Sequence, residues 1–455
     1  MGIVISLIVT FWVGFLIAKK YKPQPVLFMG GLFLMFIAVA FGLGTILPQK
    51  DSTGSAIFDA FEFIRATFSS NVASLGLNIM AVGGFARYMD HIGASKALVK
   101  LTIRPLLALR APYMVMAGAW IVGMLIGLCI NSASGLAMLL MVTLFPILIS
   151  LGVSRLSATA AIATTLCFDW SPSDVGTILS AQTAGLDPVL YWTNYQVPTV
   201  LVAFVVVAVL HYIVQKRFDE KAGHVVQATQ VAATETEADA PPAIYALLPT
   251  LPLFLILIFS SLWITWIKMD IIKAMFIGVT IGMIAEYIRH RDGRKVLADI
   301  QVFFDGLGMQ MANVVTLIVA GQTFAKGLMT IGTIDKIIAG AQTVGFSPMG
   351  MMLVMVSIIA VSAIVMGSGN APFFAFVALT PTVAAKMSIA PVLMLLPMHF
   401  GASIARSVSP ITAVIVVSSS MGGVSPFDLV KRTAIPMAGA MLVNIAMTFF
   451  YYYRG

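Results

Sequence analysis

Four short runs of Ser, Gly, Asn, Thr and Pro interrupt otherwise apolar sequence, and they come in two pairs. Asn131-Ser132-Ala133-Ser134-Gly135 matches Gly367-Ser368-Gly369-Asn370-Ala371-Pro372. Trp170-Ser171-Pro172-Ser173-Asp174 matches Ser407-Val408-Ser409-Pro410-Ile411-Thr412. Gly allows a tight reversal, Pro opens a new helix without wasting an N–H, and Ser, Thr and Asn cap the helix start and offer oxygen ligands. Irregular backbone at membrane depth survives only where it is buried in protein or lines a wet cavity. Each break would place a helix start, carrying about +0.5 charge, inside the protein. Four such ends amount to about two positive charges, suited to a small dianion. The carbonyls and hydroxyls beside them suit a coupling Na⁺ or a proton relay. The plainer reading, small residues letting helices pack closely, explains one such run better than four in matched pairs.

Charged groups adjoin the second pair. Arg406 precedes one break, and Asp169 and Asp174 flank the other. An ionised group near the bilayer centre costs about 2.5–3.5 kcal/mol on insertion scales, so it needs a partner or a role. Arg406 is suited to grip a carboxylate with two parallel N–H bonds, or else to pair with an Asp or cap helix carbonyls. Asp174 is suited to a cation or a proton, and Asp169 to the water interface. His399 reads as a hydrogen-bonded helix residue and Arg155 as an interfacial one.

The elements that must position these residues are membrane helices. Of 455 residues 59% are hydrophobic and 10% charged, against about 25% charged in soluble domains; a water-soluble enzyme is excluded. There is room for about ten to twelve spans. Apolar runs fall near 3–18, 25–47, 72–89, 112–130, 136–151, 156–166, 175–184 and 197–214, and again near 244–267, 271–288, 314–328, 349–365, 373–387, 392–399, 411–420 and 433–452. Several are too short to cross as full helices, which points to discontinuous helices at a transport site. The N-terminal run has its lysines (Lys19, Lys20, Lys22) after it, so it reads as a retained span rather than a signal peptide. Residues 216–242 form the one extended hydrophilic stretch and read as a solvated linker. The net charge of +8 sits in clusters at the ends of apolar runs and shows no basic-aromatic pattern suited to nucleic acid. Cys129 and Cys167 lie in apolar sequence with no His nearby, so neither a disulfide nor a metal site is indicated. HExxH, P-loop and GxSxG motifs are absent from the sequence.

The two halves are related. Phe85-Ala86-Arg87 matches Phe324-Ala325-Lys326 at an offset of 239, the stretch ending at Pro146 matches that ending at Pro381 at 235, and Ser171-Pro172, Asp187-Pro188 and Pro198 match Ser409-Pro410, Ser425-Pro426 and Pro436 at 238. Each basic cluster faces a basic-poor partner in the other half, as Lys96, Lys100, Arg104 and Arg110 do against Lys336 alone. With the clusters in the cytoplasm the halves insert in opposite senses; charge that merely follows loop exposure is the alternative. The expected fold is an all-α polytopic membrane protein of two inverted-topology repeats, each with a re-entrant hairpin and a discontinuous helix. Residues 1–215 form the first repeat, 216–242 a cytoplasmic linker and 243–455 the second repeat, with both termini periplasmic.

Several stretches resemble the DcuC family of bacterial dicarboxylate carriers, its DcuD-type branch most: MLLMVTLFPILISLGVSRLSA (138–158), FFDGLGMQMANVVTLIVAG (303–321), AKGLMTIGTID (325–335), VMGSGNAPFFAF (365–376), ARSVSPITAVIVV (405–417) and SPFDLVKRTAIP (425–436). The resemblance covers nearly the whole chain outside the linker. It implies an inner-membrane carrier for four-carbon dicarboxylates such as fumarate, succinate and malate. It also implies hairpin tips and broken helices that hold carboxylate and cation, here Asn131, Ser132, Ser134, Ser368 and Asn370 with Ser171, Ser173, Ser409 and Thr412. Phe168–Asp174 (FDWSPSD) is bulkier and more acidic than the family's stretch, and neither tip carries the wider superfamily's literal Ser-Asn-Thr.

The expected function is secondary active transport by alternating access, cation-coupled or by exchange. Asn131, Ser132, Ser134, Ser368, Asn370, Arg406, Ser409 and Thr412 are expected to bind substrate, and Ser171, Ser173 and Asp174 a coupling ion or proton. No catalytic residue and no cofactor beyond coupling Na⁺ or H⁺ is expected. The partners are the dicarboxylate and the lipid bilayer, with a homodimer left open. A carrier of another small organic anion is the nearest alternative; a passive anion channel and an intramembrane enzyme stand further off.

Overall fold

A computed structural model describes residues 2–19, 21–103, 111–224, 241–260, 262–333, 336, 339–340 and 347–453. Every regular element among them is helical. The first half runs α1 (Gly2–Ala18), α2 (Pro23–Ala40), α3 (Ala56–Asn71), α4 (Leu77–His91), α5 (Ala94–Ile103), α6 (Pro112–Ile126), α7 (Ala133–Thr143), α8 (Phe145–Ser150), α9 (Arg155–Ala163), α10 (Val175–Thr183), α11 (Pro188–Tyr191) and α12 (Val197–Lys221). Then follow α13 (Leu251–Ile258), α14 (Ile271–His290), α15 (Gly293–Asp299), α16 (Gln301–Gln310), α17 (Thr316–Thr330), α18 (Pro348–Met366), α19 (Asn370–Phe376), α20 (Thr380–Lys386), α21 (Val392–Arg406), α22 (Ala413–Gly422) and α23 (Pro426–Ala446). Among the described residues, six helical runs are long and apolar enough to cross a membrane. Rings such as Phe11 and Trp266, 78% and 80% exposed, are where a bilayer would cover them. The chain is a multi-pass all-α membrane protein.

The elements form two packed groups. In one, α2 lies on α17, and α4 on α14 and α16. In the other, α18 lies on α21, α12 on α23, and α7 on α22. The second group contains the irregular points. α6 ends at Ile126, the chain turns, and α7 returns so that the Gly123 Cβ position lies 3.3 Å from Leu140 Cδ1. α18 ends at Gly367, whose φ of 65° is left-handed and whose Cβ position is 2.9 Å from Ile411; only Gly makes this reversal without strain. Two helices are broken, α9–α10 over residues 164–174 and α21–α22 over 407–412. Neither hairpin tip is an uninterrupted rod.

Three elements differ from expectation. The run expected at 72–89 is the second part of a longer path, α3 to α4, joined by a π-helical turn at Val72–Gly76; α16 and α17 are joined the same way at Met311–Val315. Hydropathy missed α3 because Asp59, Glu62 and Arg65 interrupt it. The helix expected at 244–267 is only a short 3₁₀ turn and α13; beyond it Trp263 and Trp266 are exposed in irregular chain, as aromatic side chains at a membrane interface are. α12 continues through Lys221, so the first residues of the expected linker are helical; residues 225–240 lie outside the described ones.

The reason α12 continues is Asp219, 1% exposed. Its carboxylate accepts from Arg432 Nη1 at 2.8 Å, Ser154 Oγ and Ser157 Oγ at 2.8 Å each, and Tyr113 Oη at 2.9 Å. This one carboxylate ties α6, α9, α12 and α23 together. Removing one partner of a buried ion pair leaves the other charge uncompensated. Asp219→Ala is therefore expected to destabilise the protein by about 3–5 kcal/mol, read as a lower unfolding midpoint in detergent, with Asp219→Asn losing less.

Candidate functional site

A cavity of about 560 Å³ lies between the two helix groups, within the roughly 300–1,000 Å³ common for small-molecule sites. Both hairpin tips and both helix breaks reach it. Asn131, Ser132 and Ser134 come from the first tip, Ser368 and Asn370 from the second. Ser173 and Asp174 come from the first break, Arg406 and Thr412 from the second. Nine of the eleven residues singled out in the sequence thus meet at one place. Ser171 and Ser409 do not line it.

Those two serines hold the site from behind. Ser171 Oγ donates to the Leu128 carbonyl at 2.8 Å, and Ser409 Oγ donates to the Ile364 carbonyl at 2.6 Å. Ser171 ties its break to the turn just past α6, and Ser409 ties its break to the last turn of α18, where carbonyls lack intrahelical partners. Asn131 Nδ2 donates to Ser173 Oγ at 3.0 Å, and Ser173 Oγ lies 2.9 Å from Ser171 Oγ. The first tip and first break are one hydrogen-bonded unit. Asn131 Oδ1 is buried with no partner among the described residues.

The breaks are joined by a buried ion pair. Arg406 Nη2 donates to Asp169 Oδ1 at 2.6 Å and to the Leu166 carbonyl at 2.8 Å, while Ser403 Oγ donates to Asp169 Oδ2 at 2.8 Å. Asp169, expected at the water interface, is 7% exposed and belongs to this pair. One part of the guanidinium stays uncommitted: Arg406, a residue that lines the cavity, keeps its Nε buried with no partner among the described residues. An unsatisfied buried donor there is a place for an anionic acceptor.

The two helix starts at the breaks are not equivalent. Asp174 caps α10, its Oδ2 accepting from the Gly176 N–H at 2.8 Å and the Thr177 N–H at 3.1 Å. The positive end of α10 therefore already holds a carboxylate. At α22 the corresponding Thr412 turns away, donating to the Arg406 carbonyl at 2.7 Å, and no side chain caps the helix. Ala413 and Val414 of that uncapped turn line the cavity. The α22 start remains available to an anion from outside the protein.

Behind Asp174 stands His399. Its Nε2 is 3.3 Å from Asp174 Oδ2 without hydrogen-bond geometry, and its Nδ1 is 3.4 Å from Gln196 Nε2. The ring packs on Phe373 and Phe400, with centroids 5.1 and 5.6 Å away. It fills the space beside Gly176, whose Cβ position lies within reach of the imidazole nitrogen. Arg155 caps the far end of α22, donating to the Gly422 carbonyl at 2.8 Å. Sequence reasoning did not single out Arg87 and Asp90, which line the cavity from α4. Arg87 had appeared only as part of a repeat match, and its exposure in a cavity is a tertiary property.

The family model described as DcuC, C4-dicarboxylate anaerobic carrier, matches residues 1–453. The probable anaerobic C4-dicarboxylate transporter DcuC of Vibrio cholerae is 35% identical over 98% of this chain and 97% of its own. The anaerobic C4-dicarboxylate transporter DcuC of Escherichia coli K12 is 34% identical over 98% and 96%. Among solved structures, the YdaH transporter of Alcanivorax borkumensis, described as having an unusual topology, superposes with a TM-score of 0.62 at 14% identity, over 96% of this chain and 99% of that one. MtrF of Neisseria gonorrhoeae, described among antimetabolite efflux pumps, superposes with 0.63 at 13% identity, over 95% of each. At these identities the two structures speak to the fold alone.

Asp169→Ala and Arg406→Leu are each expected to destabilise the protein by about 3–5 kcal/mol, because each strands a buried charge. The double variant is expected to lose less than their sum, with a coupling of at least about 1 kcal/mol in a double-mutant cycle read by unfolding in detergent. Additive losses would mean that the pair does not hold the breaks together.

Proposed function

This chain belongs to the DcuC family of C4-dicarboxylate anaerobic carriers, and from that premise we propose that it is a secondary active carrier of four-carbon dicarboxylates of the fumarate, succinate and malate type. It is a multi-pass membrane transporter and not an enzyme. In the proposed cycle the dianion crosses the bacterial inner membrane by alternating access, coupled to a cation or by exchange.

One observation carries this reading. Both hairpin tips and both breaks converge on a single cavity lined by Arg406, whose buried Nε has no partner among the described residues, and by the uncapped start of α22. One substrate carboxylate takes Arg406 Nε and the α22 N–H groups. Ser368, Asn370 and the Ser132-Ser134 tip line the same space and supply hydroxyl and amide contacts for the rest of the molecule. Ser409 acts behind the site, and Ser171 behind the coupling position. Asp174 is the coupling position: it lines the cavity, and its Oδ2 stands 3.3 Å from His399 Nε2. A proton or Na⁺ there neutralises the fixed negative charge that would otherwise repel the substrate.

The two-repeat reading, with 1–215 and 243–455 inserted in opposite senses, both termini periplasmic and 216–242 cytoplasmic, is part of the proposal. The recurrence of the π-helical turns at Val72–Gly76 and Met311–Val315, again at an offset of 239, supports it.

Reconstituted protein is expected to take up labelled succinate saturably and to be competed by unlabelled fumarate and malate. Counter-flow should drive accumulation uphill. Competition by monocarboxylates or citrate alone would favour another anion on this scaffold, and non-saturating flux a channel. Arg406→Lys, which keeps the charge but loses Nε and the planar fork, is expected to lower succinate affinity at least about tenfold. Asp174→Asn preserves a good helix cap, so the protein should fold, yet its uptake should no longer respond to imposed Na⁺ or pH gradients. Normal gradient dependence would remove the coupling role from Asp174.

A further inference from the structure

A second cavity, of about 580 Å³, lies among α3, the far end of α10, and α17. Its lining is related to that of the first cavity by the same offset that relates the halves of the chain. Gln310 and Val314 of the first cavity correspond at 239 to Asn71 and Leu75 of the second. Gly306 and Met309 correspond to Thr67 and Ser70, and Gly83 corresponds to Gln322. Five matched pairs at one offset are not a property of either cavity alone.

The two cavities lie end to end along shared elements. α10 begins in the first, at Asp174 and Val175, and ends in the second, at Gln182 and Thr183. Eight residues of helix set these ends about 12 Å apart. Along α3 to α4 the chain lines the second cavity first, at residues 62–75, and the first cavity afterwards, at 79–90. Along α16 to α17 the order is reversed, with 306–314 in the first cavity and Gln322 in the second. The two matched runs therefore cross the intervening layer in opposite directions. Both cross it through a π-helical turn, and the turns touch, the Gly76 Cβ position lying 3.4 Å from Val315 Cγ1. Ile178 on α10 and Ile318 on α17, 0% and 1% exposed, fall along the chain between residues that line one cavity and residues that line the other.

A cation lines the first cavity, and its counterpart stands beside a wall residue of the second. Arg87 lines the first. Lys326, its counterpart at 239, stands with Nζ 5.5 Å from the centroid of Phe63, which lines the second. The acidic Glu62 of the second cavity is held by Arg65, at 2.6 and 2.8 Å.

We propose that the second cavity is the vestibule by which the same dianion enters or leaves on the opposite membrane face, sealed from the binding site in this state by the layer around Ile178 and Ile318. It rests on the carrier reading above and adds a location for the other end of the path. In this arrangement Lys326 draws the anion toward the second cavity, and Arg87 draws it toward the first.

The test uses the full chain with Cys129→Ala and Cys167→Ala as background. Met309→Cys probes the first cavity; Ser70→Cys, its matched position, and Gln182→Cys probe the second. Each is treated with a membrane-impermeant thiol reagent in right-side-out and in inside-out vesicles. The expected result is labelling of the Met309→Cys variant at least tenfold faster from one face, and of both second-cavity variants at least tenfold faster from the other. Labelling of all three from the same face, or protection of both second-cavity positions from either face, overturns the vestibule. Succinate uptake by the cysteine-free background is measured in parallel. Uptake with same-face labelling sinks the vestibule alone, whereas saturating succinate uptake that is absent sinks the carrier reading whatever the labelling.

Discussion

The site depends on one buried ion pair. Broken helices inside a membrane protein expose backbone that water cannot reach, and that backbone has to be satisfied by the protein itself. Arg406 and Asp169 do this from both sides: the guanidinium binds the Leu166 carbonyl of one broken helix, and the carboxylate binds Ser403 of the other. A pair at 2.6 Å is also a partner that neither charge can leave cheaply. The two breaks are thereby fixed against each other, and the hairpin tips are fixed against the breaks through Ser171 and Ser409. The cavity inherits its shape from these contacts.

The matched halves make a site that is not symmetric in charge. Ser173-Asp174 and Ile411-Thr412 occupy corresponding places at 238, yet Asp174 fills one helix start while Thr412 leaves the other open. A single difference of residue type leaves one of two like helix starts holding its own carboxylate and the other without a side-chain cap. In the proposed two-repeat carrier that one difference supplies the division of labour. His399 adds to this on one side only, pressed against Gly176 and within 3.3 Å of Asp174.

The sequence made the breaks and their pairing legible because they depart from an apolar background, where a lone Ser, Gly or Pro carries much signal. Nine of the eleven chosen residues line the cavity for that reason. What stayed hidden was tertiary. Hydropathy passed over α3, whose Asp59 is buried by accepting from Ser52 and Thr53. It placed Asp219 in a solvated linker, because a buried Asp reads as exposed until Arg432, more than 200 positions away, is brought beside it. Ser171 and Ser409 were correctly placed at the breaks, but sequence does not reveal which way a hydroxyl points.

Charge sets the remaining constraint on how the proposed carrier works. Arg406 and Asp169 cancel as a pair; Arg87, Asp90 and Asp174 are the other charged residues lining the cavity, and of these Asp174 is the one at a helix start within a break. A dicarboxylate bound beside an ionised Asp174 would bring three negative charges together, with the partial charge of one open helix start and the Arg406 dipole to offset them. Closing water away from such a cluster is strongly unfavourable. In the proposed cycle Asp174 is therefore neutralised before occlusion, by a proton or by a cation. The same electrostatics set the proposed order of events: the positive ion arrives at Asp174 before or with the substrate, and the empty carrier returns most easily once it has left. Exchange without a coupling ion is compatible with the site only if Asp174 keeps its neutralising partner throughout the cycle.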